Sequence, residues 1–233
     1  MTIGRTKDLQ IWVATASAAH QVTNLLGMTV NGTADVTNED YFGREIELAS
    51  VHAVGTGYDF STLYDTAAND AVIAGLLGSA YSSGVTPPTL MVFQSGGPLE
   101  HWQAHPVSFA RPGIDAPAAD AITRPWSLAA AGRGGYGRTV VPFTTNPAGS
   151  PVNVLAANAG RDQEGVAYIL VTDIGTASNL VLADGSTSHN LTESNGVQTV
   201  SLSTTAAAVT IDSSTAAATG FVLVGAREVV ASG

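Results

Sequence analysis

Short apolar runs bounded by glycine, proline and small polar residues recur along most of the chain, the mark of strands joined by turns. LQIWVATAS (Leu9 to Ser17) reads as a first strand and NLLGMTVNG (Asn24 to Gly32) as a second, with a bulge placed at Gly27. EIELASVHAVGT (Glu45 to Thr56) holds further extended segments. In GYDFSTLYD (Gly57 to Asp65), Tyr58 and Phe60 alternate with Asp59 and Ser61, a period of two that predicts one wet face. One stretch breaks to a helical period. In TAANDAVIAGLLGSAYSSG, Val72, Ile73, Leu76, Leu77 and Tyr81 share a face. Thr66 serves as N-cap, Asp70 complements the dipole and Gly84 ends the helix. Gly75 and Gly78 each weaken it by ~1 kcal/mol and suggest close packing on a sheet. Strands resume with TLMVFQS (89–95), WQAHPVSFAR (102–111), AITRPWSLAAA (121–131) and GRTVVPF (137–143).

TTNPAGSP (Thr144 to Pro151) has no period and two prolines, so it reads as a linker. Beyond it no Trp occurs, and short regular strands follow: VNVLAAN, VAYILVTD, NLVLAD, VQTVSLS, AAVTIDSS and GFVLVGA. Two domains are therefore expected, 1–146 and 147–233, the second a small Ig-like antiparallel β-sandwich. Between the second and third strand segments lies ADVTNEDYFGREI (Ala34 to Ile46), expected as a long loop. It concentrates four carboxylates (Asp35, Glu39, Asp40, Glu45), two aromatics (Tyr41, Phe42) and Arg44.

Composition narrows the function classes. Of 233 residues 45% are hydrophobic and 12% charged, which excludes a disordered chain. The net charge is −10, Lys7 is the single lysine, and no basic cluster suits nucleic-acid binding. Charge does not separate the two parts: 12 acidic and 7 basic residues precede Asn146, 7 and 2 follow it. The absence of cysteine excludes disulfides, zinc–thiolate sites and thiol nucleophiles. The N-terminus lacks a signal-like apolar core, so synthesis and folding in the cytoplasm are expected. No run reaches the ~20 apolar residues of a membrane span.

Candidate chemistry is sparse. His101 and His105, in EHWQAH, would share a helical face, but on a strand they stand ~13 Å apart, so no metal site is expected. GRGGYGR lacks the Lys-Ser/Thr of a phosphate loop and reads as a hairpin turn. No GxSxG elbow exists, and nothing makes Asp35, Asp40 or Asp59 converge as a hydrolytic pair. NGT (31–33) and NLT (190–192) match the glycosylation pattern but have no secretory signal before them. No catalytic residue and no cofactor follow from these residues. The acid-rich stretch is therefore expected to contact protein, its aromatics supplying area and its carboxylates register against basic partners such as Arg44, Arg111, Arg124, Arg133 and Arg138.

Three segments, TADVTNEDYFGREI, SVHAVGTGYDFSTLYDTAAND and ARPGIDAPAADAITRPWSLAAAGRG, occur in an order and spacing that resemble the major tail tube proteins of long-tailed bacteriophages, over about residues 1–146. The resemblance implies a mostly β subunit, a β-sandwich or half-barrel with one flanking helix. It implies hexameric rings whose inner sheets join into a barrel, stacked as a tube for DNA, in a virion tail made in the host cytoplasm. It also implies a long loop, roughly Asp35 to Gly55 here, reaching a neighbouring subunit or ring. The implied partners are the chain itself, a tape measure protein and tail terminator or tip proteins. DNA would pass without specific binding, and no membrane insertion is implied. The tube of contractile injection machines shares this subunit architecture.

A conduit should not hold its cargo, and each cation meeting a phosphate adds affinity. The inner face is accordingly expected to carry some of Asp8, Glu47, Asp59 and Glu100. Residues 147–233 depart from the minimal family pattern, and by analogy form an outward-facing decoration domain. The alternatives are a capsid decoration or other virion sandwich protein, and a carbohydrate-binding module.

Overall fold

The computed structural model describes residues 9–39, 48–64, 73, 75, 86–94, 101–109, 122–156, 165–185, 187–203 and 208–227. These form fifteen strands: β1 (Leu9–Ala14), β2 (Ala19–Gln21), β3 (Leu25–Glu39), β4 (Leu48–Leu63), β5 (Thr89–Gln94), β6 (Trp102–Phe109), β7 (Thr123–Ala130), β8 (Gly135–Thr144), β9 (Val152–Leu155), β10 (Gly165–Asp173), β11 (Val181–Asp184), β12 (Thr187–Asn190), β13 (Gly196–Ser201), β14 (Val209–Asp212) and β15 (Thr219–Arg227). The fold is mostly β, as the alternation predicts. Ile73 and Gly75 of the predicted helix are helical, and its remaining positions lie outside the described residues. Ile73 is fully buried, but Gly75 is exposed with open space around it, so it does not serve close packing on a sheet.

Eleven strands hydrogen-bond in the order β13-β10-β15-β8-β6-β5-β1-β2, with β7, β4 and β3 branching from β6. The branch arises because β6 divides its pairing. Trp102 to Ala104 face β8, whereas Val107 to Phe109 face β7. A second sheet runs β12-β11-β14-β9. All pairings are antiparallel.

Three apolar cores stack between these strands, and alternation assigns successive residues to different cores. Ile11 and Val13 of β1, with Leu90 and Val92 of β5, pack toward Tyr58, Phe60, Trp126, Leu128 and Ile73. Their neighbours Ala14, Met91 and Phe93 pack with Trp102 toward Val166, Tyr168, Leu170 and Leu223. The opposite residues of β10, Ala167, Ile169 and Val171, join Val222, Leu180, Leu182, Val209 and Ile211 in the third core. β10 is thus buried on both faces from Gly165 to Val171, which explains its unbroken apolar run.

The β12-β11-β14-β9 layer and the β13-β10-β15-β8 layer make the antiparallel sandwich expected beyond residue 147, with β8 supplied from before that point. The start of the expected linker is bound into the fold. Thr144 pairs with Thr219, and buried Thr145 shares a 2.6 Å hydrogen bond with Ser213.

A candidate assembly surface

β3 and β4 pair over their whole length, from Leu25↔Thr62 to Glu39↔Leu48. β7 accompanies them only as far as Gly57↔Ala129. Beyond Asn31, the residue opposite Gly57, the two strands run on as a ribbon with no third strand among the described residues. Eight residues of β3, 32 to 39, lie in that extension, a reach of ~26 Å. β3 also has no strand on its far side among the described residues, so a fifteen-residue edge is open. The register shifts between Leu25 and Gly27, which leaves Leu26 as the extra residue, one position before the expected bulge, and a second shift falls between Asp35 and Val36.

The ribbon corrects one expectation. Asp35 and Glu39 are not in a loop: they pair with Ala53 and Leu48 inside β3. Ala34-Asp35-Val36-Thr37 has the period of two of a strand, which the density of acids around it masks. Similarly, the segments divided at Thr56 are one strand, because Gly57 continues the ladder between Asn31 and Ala129. Asp40, Tyr41, Phe42, Arg44, Glu45 and Glu47 lie outside the described residues, as do Asp8 and Glu100.

Of the four candidate inner-face acids only Asp59 is described. It is exposed and accepts a 2.8 Å hydrogen bond from Asn31 Nδ2. Its row across the sheet is Thr29-Asp59-Ser127, and the next is Asn31-Gly57-Ala129-Ser108. Tyr58, Phe60, Trp126 and Leu128 alternate with these residues and fill the core behind them. The outer face of β3-β4-β7-β6 therefore carries a carboxylate, hydroxyls and small residues over a rigid apolar backing. Phe60 stacks on Trp126 with centroids 5.9 Å apart, and Trp126 Nε1 donates to Thr62 Oγ1 at 3.1 Å.

At the end of this sheet away from the ribbon tip, Leu26, Leu63, Tyr64 and Ile122 are all exposed. Arg124 lies over both the Tyr64 and Trp126 rings, its Cζ 5.5 Å from each centroid. Of the other arginines expected to meet the acids, Arg133 is exposed in the β7–β8 turn and Arg138 is exposed on β8, while Arg44 and Arg111 are outside the described residues.

The two histidines occupy different settings. His101 is exposed ahead of β6, whereas His105 is buried and its Nδ1 hydrogen-bonds the Tyr58 hydroxyl, linking β6 to β4. Gly134 in the β7–β8 turn lies against the same imidazole, where a Cβ would stand 2.2 Å from a ring carbon. That role for GRGG was not legible as a motif. It follows from a close approach that only glycine permits. No group of three or more potential metal ligands exists among the described residues.

No protein-family model matches the chain, and no curated protein matches it. Among solved structures, a chain from the tail of an empty gene transfer agent particle, refined with C6 helical symmetry, is 12% identical with a TM-score of 0.45, covering 59% of this chain and 99% of that one. A chain from the virion of a native gene transfer agent particle is 11% identical with a TM-score of 0.42, covering 56% and 95%. The SPP1 Dit protein, described as a hub of the adsorption apparatus in phages infecting Gram-positive bacteria, is 10% identical with a TM-score of 0.36, covering 95% and 99%.

Proposed function

We propose that this chain is a structural, non-catalytic subunit of a bacteriophage tail, which joins copies of itself into hexameric rings stacked as a tube for DNA. The observation that carries this reading is the β3–β4 ribbon, whose β3 edge has no partner strand among the described residues. An isolated two-stranded ribbon is marginal in water, and a long open edge invites pairing with another chain. Both are satisfied when neighbouring copies cover them. The sequence resemblance to tail tube proteins points the same way and supplies the ring of six.

On this reading the outer face of β3-β4-β7-β6 lines the passage. Asp59 repels phosphates, while Thr29, Ser127 and Ser108 keep them hydrated, so DNA slides without being held. The exposed Leu26, Leu63, Tyr64 and Ile122 give the opposite end of the sheet an apolar contact for the next ring. Tape measure and terminator or tip proteins are the remaining partners of such a tube, and the mature location is the virion tail.

Negative-stain microscopy of the purified protein across a concentration series tests the proposal. Rings or tubes of uniform width are expected. Discrete monomers at every concentration, or a bore lined with arginine in an assembled particle, refute it.

A further inference from the structure

An open cleft of ≈ 780 Å³ lies where β6, β8 and β15 meet the end of β9, a size usual for ligand sites (~300–1,000 Å³). Its floor is apolar and fixed. The buried Trp102 indole packs over Gly137 and Gly225, and its Nε1 donates to the Val224 carbonyl at 3.0 Å. A Cβ on Gly225 would stand 2.1 Å from the Tyr136 carbonyl oxygen, so the two strands can approach this closely only as glycines.

The register shifts at this point. Val224 pairs with Thr139 and Gly225 with Gly137, which leaves Arg138 as the extra residue of a β-bulge. Bulges redirect a side chain out of the regular pleat. Arg138 lines the cleft together with His101, Gln103 and the half-exposed Tyr136. Arg138 is the one formally charged side chain among the described lining residues, and Glu100, Asp162 and Glu164, which adjoin the lining in sequence, lie outside the described residues.

We propose that this cleft binds the acid-rich segment Ala34 to Ile46 of a second copy of the chain. The inference rests on the self-association reading above and names the receiving site. Charge complementarity selects the occupant. Of the described arginines, Arg124 is engaged with two aromatic rings, Arg227 donates to Ser201 Oγ at 3.4 Å, and Arg133 stands on a turn outside the cleft. Arg138 alone combines exposure, a concave apolar floor and a backbone device that aims it. The segment offers the matching set: four carboxylates for Arg138 and His101, and Tyr41 and Phe42 for the Trp102–Tyr136 floor.

A labelled synthetic peptide of residues 34–46, titrated into the full-length protein and followed by fluorescence anisotropy, tests this. Saturable binding is expected, weakened at least ~tenfold by Arg138→Glu, by amidation of the four peptide carboxylates and by high salt. Absence of saturable binding overturns the proposal, as does undiminished binding by an Arg138→Glu protein that melts like the wild type. If Arg138→Glu does not fold, Arg138→Gln replaces it, with the same criteria at a smaller reduction. Microscopy of the same samples judges assembly separately. Rings alongside unaltered peptide affinity in the variant sink the cleft and leave the tube standing; specific peptide binding without rings upholds the cleft and sinks the tube.

Discussion

Ile169 and Leu170 are adjacent on β10 and both fully buried, yet they serve different cores. Ile169 packs with the strands beyond residue 147, and Leu170 with Met91, Phe93 and Trp102. Truncating either to alanine removes about three methyl or methylene groups, a transfer loss of about 2.4 kcal/mol. The residual cavity in a strand packed on both faces raises this to about 3–4 kcal/mol, within the usual range for such sites. All three tryptophans precede residue 147; Trp126 packs with Phe60 and Leu128 in the first part, whereas Trp12 and Trp102 also touch Phe221 and Tyr168 of the second, so their emission follows the first part together with the core it shares with the second. Because β8 lies hydrogen-bonded to β15 in one layer, the two parts should unfold together. Urea melts followed by tryptophan emission and by far-UV circular dichroism should coincide. Both variants should lower the midpoint by about 1 M for a slope of about 3 kcal/mol/M. If Ile169→Ala left the tryptophan transition unmoved and produced a separate early transition by circular dichroism, residues 147–233 would be an independent module and the shared-layer account would fail.

Tyr58→Phe removes the hydroxyl that bonds buried His105, and should cost about 1–3 kcal/mol in the same urea melts with no loss of secondary structure; an unchanged midpoint would count against that bond. Gly220→Ala places a Cβ 2.0 Å from the Leu170 carbonyl oxygen, between β15 and β10, and is expected to yield insoluble protein; a soluble variant with wild-type melting would show that the strands can part there. Asp59→Arg with Ser127→Arg changes exposed positions only, so stability should move by less than about 0.5 kcal/mol each. Assembled tubes of that double variant should retain DNA in gel-shift assays in a salt-dependent manner, and tubes that still ignore DNA would remove this face from the bore.

Where one face of a strand is wet, the sequence revealed it. Tyr58 and Phe60 against Asp59 and Ser61 is a period of two that the structure keeps, core on one side and solvent on the other. The unbroken run of β10 was legible as a strand, but nothing local said that its two faces belong to two cores. That depends on β8 and β15 pairing across 75 or more residues of chain. β12, in TSHN, was missed because all four residues are polar and only its ladder with β11 makes it a strand. Residues 34–39 were misread for a related reason, since composition outweighed alternation. The redirection of Arg138 had a faint signal in GYGR: two glycines flanking a tyrosine permit close strand approach, but the bulge itself shows only in the register of β8 against Gly225 of β15.

The ribbon sets the energetic terms for any function assigned to the chain. Residues 32–39 and 48–56 are extended without a third strand among the described residues. Ordering each residue's backbone costs about 1–2 kcal/mol, and a net hydrogen bond returns about 0.5–1.5 kcal/mol. A two-stranded ladder forms roughly one such bond per residue or fewer, so the ribbon alone does not break even. On the self-association reading, a subunit that closes against its neighbours gains ladder partners along β3. Protease sensitivity gives this a measurement: cleavage within 32–56 should be rapid in dispersed subunits and at least ~tenfold slower after assembly, because closure by a neighbour removes the open population. Equal cleavage in both states would mean that the ribbon stays uncovered and that assembly, if it occurs, uses another surface.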